Sequence, residues 1–216
     1  MKNILFPILI LLMLISVMPS YAQRNNGRLG IKGGATFNKL TDHLYLYDNY
    51  YSGDTFEYSL GFHVGLFYTI ESRWIRVQPG LMFVQKNSRL KINTRNRFPV
   101  YERQKLSYLQ LPIELSFKLV EFGENGGFRL NIEPHTGVCV DAKAKVESVS
   151  TDINIGMEDS NDIIYPFDYG VSLGVSFDLG IIEPYFAYDI GVMNICNIKD
   201  HTLYNRSMNF GVAIHF

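Results

Sequence analysis

The sequence predicts an all-β protein, an eight-stranded antiparallel up-and-down transmembrane β-barrel. Three observations lead there. From residue 28 onward, apolar and polar residues alternate singly through a series of stretches, the period of a strand with two unlike faces. The connections between these stretches alternate long and short, as outer loops and periplasmic turns do. The polar faces carry charges of both signs, which are costly in a dry apolar interior and tolerable in a narrow polar lumen.

The N-terminus sets the compartment. Lys2 gives a positive start, Ile4 to Val17 is an apolar run, and Ser20-Tyr21-Ala22 is a small-x-small cleavage site, so residues 1–22 read as an export signal and 23–216 as the barrel. That run is shorter than the ~20 residues a spanning helix needs. Gln23 instead of Cys after the cut argues against a lipoprotein anchor. No later apolar run reaches helix-spanning length, so any membrane crossing falls to strands. With 20 basic against 21 acidic residues, no bulk attraction to nucleic acid is expected. The 14 Tyr, 15 Phe and 18 Gly suit a barrel with aromatic girdles and close strand contacts.

The strands follow in order. Residues 28–38 set Leu29, Ile31, Gly33, Ala35 and Phe37 against Gly30, Lys32, Gly34 and Thr36, with small residues suited to a tightly packed seam. A tyrosine-rich connection, residues 41–56, precedes strand two, residues 58–70, whose apolar face runs from Tyr58 through Val64 to Ile70. The short link Glu71-Ser72-Arg73 leads to strand three, residues 74–86, where Pro79 withdraws a ladder donor and predicts a bulge. Residues 87–103 read as a second long connection with a basic patch of Arg89, Lys91, Arg95, Arg97 and Arg103.

Strand four, residues 106–119, is the most regular. Leu109, Leu111, Ile113, Leu115, Phe117 and Leu119 form one face, while Gln110, Glu114, Ser116 and Lys118 lie on the other. A glycine-rich turn, residues 121–127, leads to strand five, residues 128–141, and a long acidic connection, residues 142–165, leads to strand six, residues 167–177. The link Asp178-Leu179-Gly180 is short. Strand seven, residues 182–192, and strand eight, residues 208–216, flank a loop around residues 197–204. Phe216 at the end, with Phe210 on the same face, resembles the C-terminal aromatic signature of outer-membrane barrels.

The inward face supplies the candidate site. Lys32, Arg76, Glu114, Lys118, Arg129, Glu133, Asp168, Glu183 and Asp189 are expected to form a lumen network. In it Glu114 and Lys118 meet oppositely charged neighbours such as Arg76 or Arg129. A soluble lipocalin-like barrel would turn its apolar face inward, and these charges disfavour it. Eight strands enclose a space that side chains fill, so a packed network is favoured over a water pore. His63, His135 and His215 also face inward, without metal-ligand spacing, and read as network members. The enzyme alternative is an outer-membrane lipid hydrolase or acyl transferase, but Ser59 and Ser172 show no diagnostic Ser/His/acid spacing. No catalytic residue, cofactor or metal is assigned. Cys139 is placed inward and Cys196 outward or in a loop mouth, with a disulfide left open.

Four phrases resemble the PorT-like family of outer-membrane β-barrel proteins: Gly30-Ile-Lys-Gly-Gly-Ala-Thr-Phe-Asn38, Ile75-Arg-Val-Gln-Pro-Gly-Leu-Met-Phe-Val-Gln-Lys86, Ser107-Tyr-Leu-Gln-Leu-Pro-Ile113 and Phe167-Asp-Tyr-Gly-Val-Ser-Leu-Gly174. The resemblance implies an eight-stranded barrel in the bacterial outer membrane. Its named member is associated with protein secretion, while most members have no assigned activity. The expected contacts are outer-membrane lipid along the apolar face and an envelope or secretion protein at the outer loops, with the chain a monomer.

Overall fold

The computed structural model describes residues 27–41, 55–92, 100–122, 126–146, 149–157, 162–197 and 202–216. The export signal, the tyrosines of the first loop, Arg95 and Arg97 lie outside these residues. The chain forms β1 (Gly27–Thr41), β2 (Thr55–Glu71), β3 (Ile75–Ile92), β4 (Val100–Phe122), β5 (Gly126–Val146), β6 (Val149–Asp152), β7 (Phe167–Leu179), β8 (Ile182–Gly191) and β9 (Tyr204–His215). Eight of them make a closed antiparallel ring: β4 through β1 pair in succession, β1 pairs β9, β9 leads through β8 and β7 to β5, and β5 returns to β4. The ninth, β6, is a short strand folded back on the outer end of β5.

Closure explains the small residues of β1. Gly34 faces Gly211 across the β1–β9 seam, and a Cβ on Gly34 would run into the backbone of Phe210 and Gly211. Only a glycine pair lets the first and last wall strands approach this closely. At the opposite extreme of backbone geometry, Gly180 closes the β7–β8 turn with φ of 91°, the left-handed region, where a side chain is disfavoured.

Alternation places the apolar face outward: Leu60, Val64, Leu66, Leu109, Leu119, Val140 and Phe210 are exposed on the wall. The opposite parity is buried inside, where Arg76 and Arg129 have no exposed surface. A soluble protein buries its apolar residues and exposes its charges, so this inverted distribution requires lipid outside the wall.

Several details differ from the sequence reading, and the third long connection is one of them, because β5 runs on to Val146 and β6 forms within it. The second long connection is mostly strand: β3 and β4 stay paired from Lys86↔Leu106 to Ile92↔Val100, so Arg89, Lys91 and Arg103 are strand residues. The apolar alternation stops at the lipid band, while the backbone ladder continues without it. Pro79 makes no bulge, because the β3–β4 register is unchanged from Ile75↔Phe117 to Ile92↔Val100. Register instead shifts between Tyr58 and Phe62 on β2, and twice in the β4–β5 pair, at Ser107/Tyr108 and Lys118/Val120. Finally, β9 begins at Tyr204, four residues earlier than the apolar pattern indicates.

The long-connection end carries a small apolar core. Leu40, Leu106, Tyr108, Cys139, Ala142, Ile164, Ile195, Cys196 and Leu203 are packed together there, with Ile153, Ile155 and Ile163 against them. Backbone bonds hold the cover in place: Tyr165 N–H donates to Ile195 O (2.9 Å), Ile195 N–H to Leu203 O (2.9 Å) and Asn197 N–H to Ile163 O (2.9 Å). Of the two places expected for Cys196, outward or in a loop mouth, it takes the second and is buried in this cap, because the segment after β8 folds back over the mouth. No disulfide joins it to Cys139.

Candidate functional site

Below the cap, inward side chains form three ionic tiers. The tier nearest the short turns is centred on Arg76 of β3 and Arg129 of β5. Arg76 donates to Glu183 of β8, to Asp178 of β7 (2.6 Å) and to Glu71 of β2 (3.4 Å). Arg129 donates to Glu71 and, through Nε, to Asp178 (3.3 Å), while Arg28 of β1 reaches Glu71 from its other side (2.9 Å). Ser176 donates to Glu183 (2.6 Å), and His215 Nε2 lies 2.8 Å from the same carboxylate. Three guanidinium groups thus face three carboxylates, so the tier is neutral, and several of its lone pairs are bonded, as buried charge requires.

The middle tier is Lys32 of β1, which reaches Glu133 of β5 and Glu114 of β4 (3.4 Å). Ser116 donates to Glu114 (2.8 Å). His63 is fixed between the Thr36 hydroxyl (2.8 Å) and the Tyr185 hydroxyl, a satisfied imidazole with both ring nitrogens engaged. The outer tier is Lys86 of β3, which donates to Asp168 of β7 (3.0 Å) and Asp189 of β8 (2.9 Å). Asn205 also donates to Asp168 (2.9 Å), and Lys86 Nζ lies 5.6 Å from the centre of the Tyr108 ring at the base of the cap. Between the middle and outer tiers is a polar cavity of about 40 Å³ bordered by Lys32, His63, Lys86, Glu133, His135 and Asp189. That is room for a few water molecules.

Eight of the nine residues expected in the lumen enter these tiers: Lys32, Arg76, Glu114, Arg129, Glu133, Asp168, Glu183 and Asp189. Lys118 does not. It sits directly across from Arg129 in the β4–β5 register, and among the described residues it makes no ion pair. The partner of Glu114 is Lys32 from the far wall, not Arg76 or Arg129, because the strands are tilted and Glu114 lies one tier higher. Lys86, Glu71, Asp178 and Arg28 join the tiers in addition to the residues expected from the sequence. Glu71 and Asp178 read as turn residues and Lys86 as a strand end, yet each keeps the inward parity of its strand, and that parity is the signal for them.

The chemistry of hydrolysis is poorly served here. Ser172 Oγ lies 3.4 Å from Asp189 Oδ1, and His135 Nε2 lies 3.5 Å from the same oxygen. Serine and histidine thus share the carboxylate as rivals, whereas a triad needs the imidazole between nucleophile and acid. Ser172 and His135 are both buried. Among the described residues, no group of His, Cys, Asp and Glu is placed to hold a metal ion.

No curated protein matches the chain significantly in sequence. Among solved structures, Neisserial surface protein A superposes with a TM-score of 0.46 at 12% identity, over 87% of this chain and 97% of that one. OprG from Pseudomonas aeruginosa gives 0.46 at 11% identity, over 88% and 96%. Ail, the attachment invasion locus protein of Yersinia pestis, gives 0.43 at 13% identity, over 88% and 99%. A family model described as an outer membrane protein beta-barrel domain matches residues 21–197. With the closed ring, the apolar exterior and the charged lumen, that match places the chain in the bacterial outer membrane, and it belongs to the outer membrane protein beta-barrel domain family.

Proposed function

We propose that this chain is a non-enzymatic membrane anchor, a barrel closed to solutes whose outer strands offer a platform to an envelope or secretion protein. The observation that supports this most is the filled lumen. Arg76, Arg129 and Lys86 are essentially without exposed surface, and the apolar cap covers the outer mouth. A transport pore needs a wet axis, and a small eight-stranded wall leaves little room beside packed side chains. The external parts of β3, β4 and β5 are instead built as paired strand out to Ile92, Val100 and Val146. The PorT-like phrases point in the same direction, toward support of protein secretion. On this reading the chain acts as a monomer, bound to outer-membrane lipid and without a nucleic-acid ligand.

The test is genetic. A strain lacking the gene is complemented with the wild type or with a version in which residues 88–104 are replaced by a short turn, and both secreted proteins and lipid A are profiled. The shortened barrel should assemble in the outer membrane yet fail to restore the secreted or surface-protein profile. Altered lipid A with a normal protein profile would overturn the proposal in favour of a lipid hydrolase or acyl transferase.

A further inference from the structure

The outward face of β3, β4 and β5 above the lipid band is an unusual ladder of like charge. Arg89 of β3 is directly opposite Arg103 of β4, and Arg103 is directly opposite Lys145 of β5. One row nearer the membrane, Lys105 is opposite Lys143, and one row farther out Lys91 is opposite Tyr101. Like charges facing each other across a ladder destabilise it, so an isolated sheet has no reason to keep this arrangement. The nearby acids offset it only in part: Lys143 pairs with Asp141 (3.1 Å), Asp152 is across from Lys143, and Glu57 is across from Arg89. Arg103 and Lys145 are exposed. Arg89 is held over the Tyr101 ring, 5.4 Å from its centre, and its buried Nε has no hydrogen-bond partner.

Height in the membrane identifies the anion. The last complete apolar row of this sector is Phe83, Leu109 and Val138, and the bulged Val140 exposes one further apolar side chain on β5. Lys105 is four residues above Leu109, about 13 Å along the strand at the usual rise per residue. With the usual barrel tilt this is about 10 Å above the hydrocarbon, the level of lipid headgroups. Neighbouring strands are about 4.8 Å apart, so the rows present a flat cationic surface roughly 10 Å wide. The geometry points to a binding site for the phosphorylated glycolipid headgroup of the outer leaflet, lipid A, with Arg89, Arg103, Lys105, Lys143 and Lys145 engaging its phosphates. The bound lipid neutralises the cross-strand repulsion. This inference rests on the membrane placement and is independent of the proposed partner role.

Full-length protein in neutral detergent, wild type and R103Q/K105Q/K143Q/K145Q, is titrated with phosphorylated lipid A and with enzymatically dephosphorylated lipid A, and bound lipid is counted by native mass spectrometry. The wild type should prefer the phosphorylated form by about tenfold or more, with the preference falling as salt rises. The variant should lose the preference while keeping the heat-dependent gel shift of a folded barrel. Equal binding of both lipids by the wild type, or an unchanged preference in the folded variant, overturns the site. Retention of a soluble polyanion with no lipid preference overturns it too. A variant that fails to fold is replaced by the pair R103Q and K145Q, singly, read against the same two outcomes.

Discussion

Arg76 shows how a single side chain is bound into this wall. Its guanidinium is fully buried and touches carboxylates from three other strands, Glu71, Asp178 and Glu183. Arg76→Met removes the compensating charge and leaves those acids facing one another beside Arg129. The expected loss is about 3–5 kcal/mol, read from urea unfolding of the barrel in lipid vesicles. Lys118→Met, at a lysine outside the tiers, should cost less than about 1 kcal/mol in the same assay. A smaller effect at Arg76 than at Lys118 would contradict the tier assignment. The parity rule reads Arg76, Arg129 and Lys32 from sequence without difficulty. It extends to Glu71 and Asp178 as well, but a carboxylate next to Ser72, or two residues before Gly180, also looks like turn chemistry, and that second reading hides the parity. Cys139 and Cys196 give a second check at this scale. Both thiols are buried in the cap, so a water-soluble maleimide should label neither in the folded barrel and both after heat unfolding.

At the scale of the strand, the portions that cross lipid are legible and the portions outside are not. Inside the membrane each strand must expose apolar side chains every second residue, and that requirement is written directly into β2 from Tyr58 to Ile70. Beyond the band, β3, β4 and β5 are held by backbone pairing, which leaves no hydrophobic period to read. The registers are also hidden, because an extra residue such as Val140 costs the alternation only one step. Val64 lies mid-strand on the lipid face, opposite Gly33 and Phe83. Val64→Arg should lower unfolding free energy by about 2–4 kcal/mol, whereas a charge at exposed Arg103, changed to Lys, should leave stability nearly unaltered. Gly34→Val tests the seam. A valine there meets the backbone of β9, so the barrel should lose the compact, heat-sensitive gel form; normal mobility would show that the seam tolerates width.

For the whole molecule, the antiparallel ring and its inside-out polarity follow from the sequence, while the cap does not. Ile163, Ile164, Ile195 and Leu203 are dispersed over two connections, without a period, and only their convergence over the mouth makes a core. Ions should therefore pass poorly. In planar bilayers the wild type is expected to give no sustained single-channel currents, and stable openings at moderate voltage would refute a filled lumen.

The tiers also bear on time. Lys32 reaches from β1 to β4 and β5, Arg76 from β3 to β7 and β8, and Lys86 from β3 to the same pair. Such contacts join strands that are not neighbours in the sheet, and they are complete only when the ring is closed. As a latch set at closure they are expected to contribute late, and interactions formed after the transition state slow unfolding without hastening folding. Breaking the latch with Arg76→Met or Lys86→Met should leave the rate of insertion into vesicles almost unchanged while unfolding accelerates by orders of magnitude, so the charges buried in this barrel govern its lifetime in the membrane.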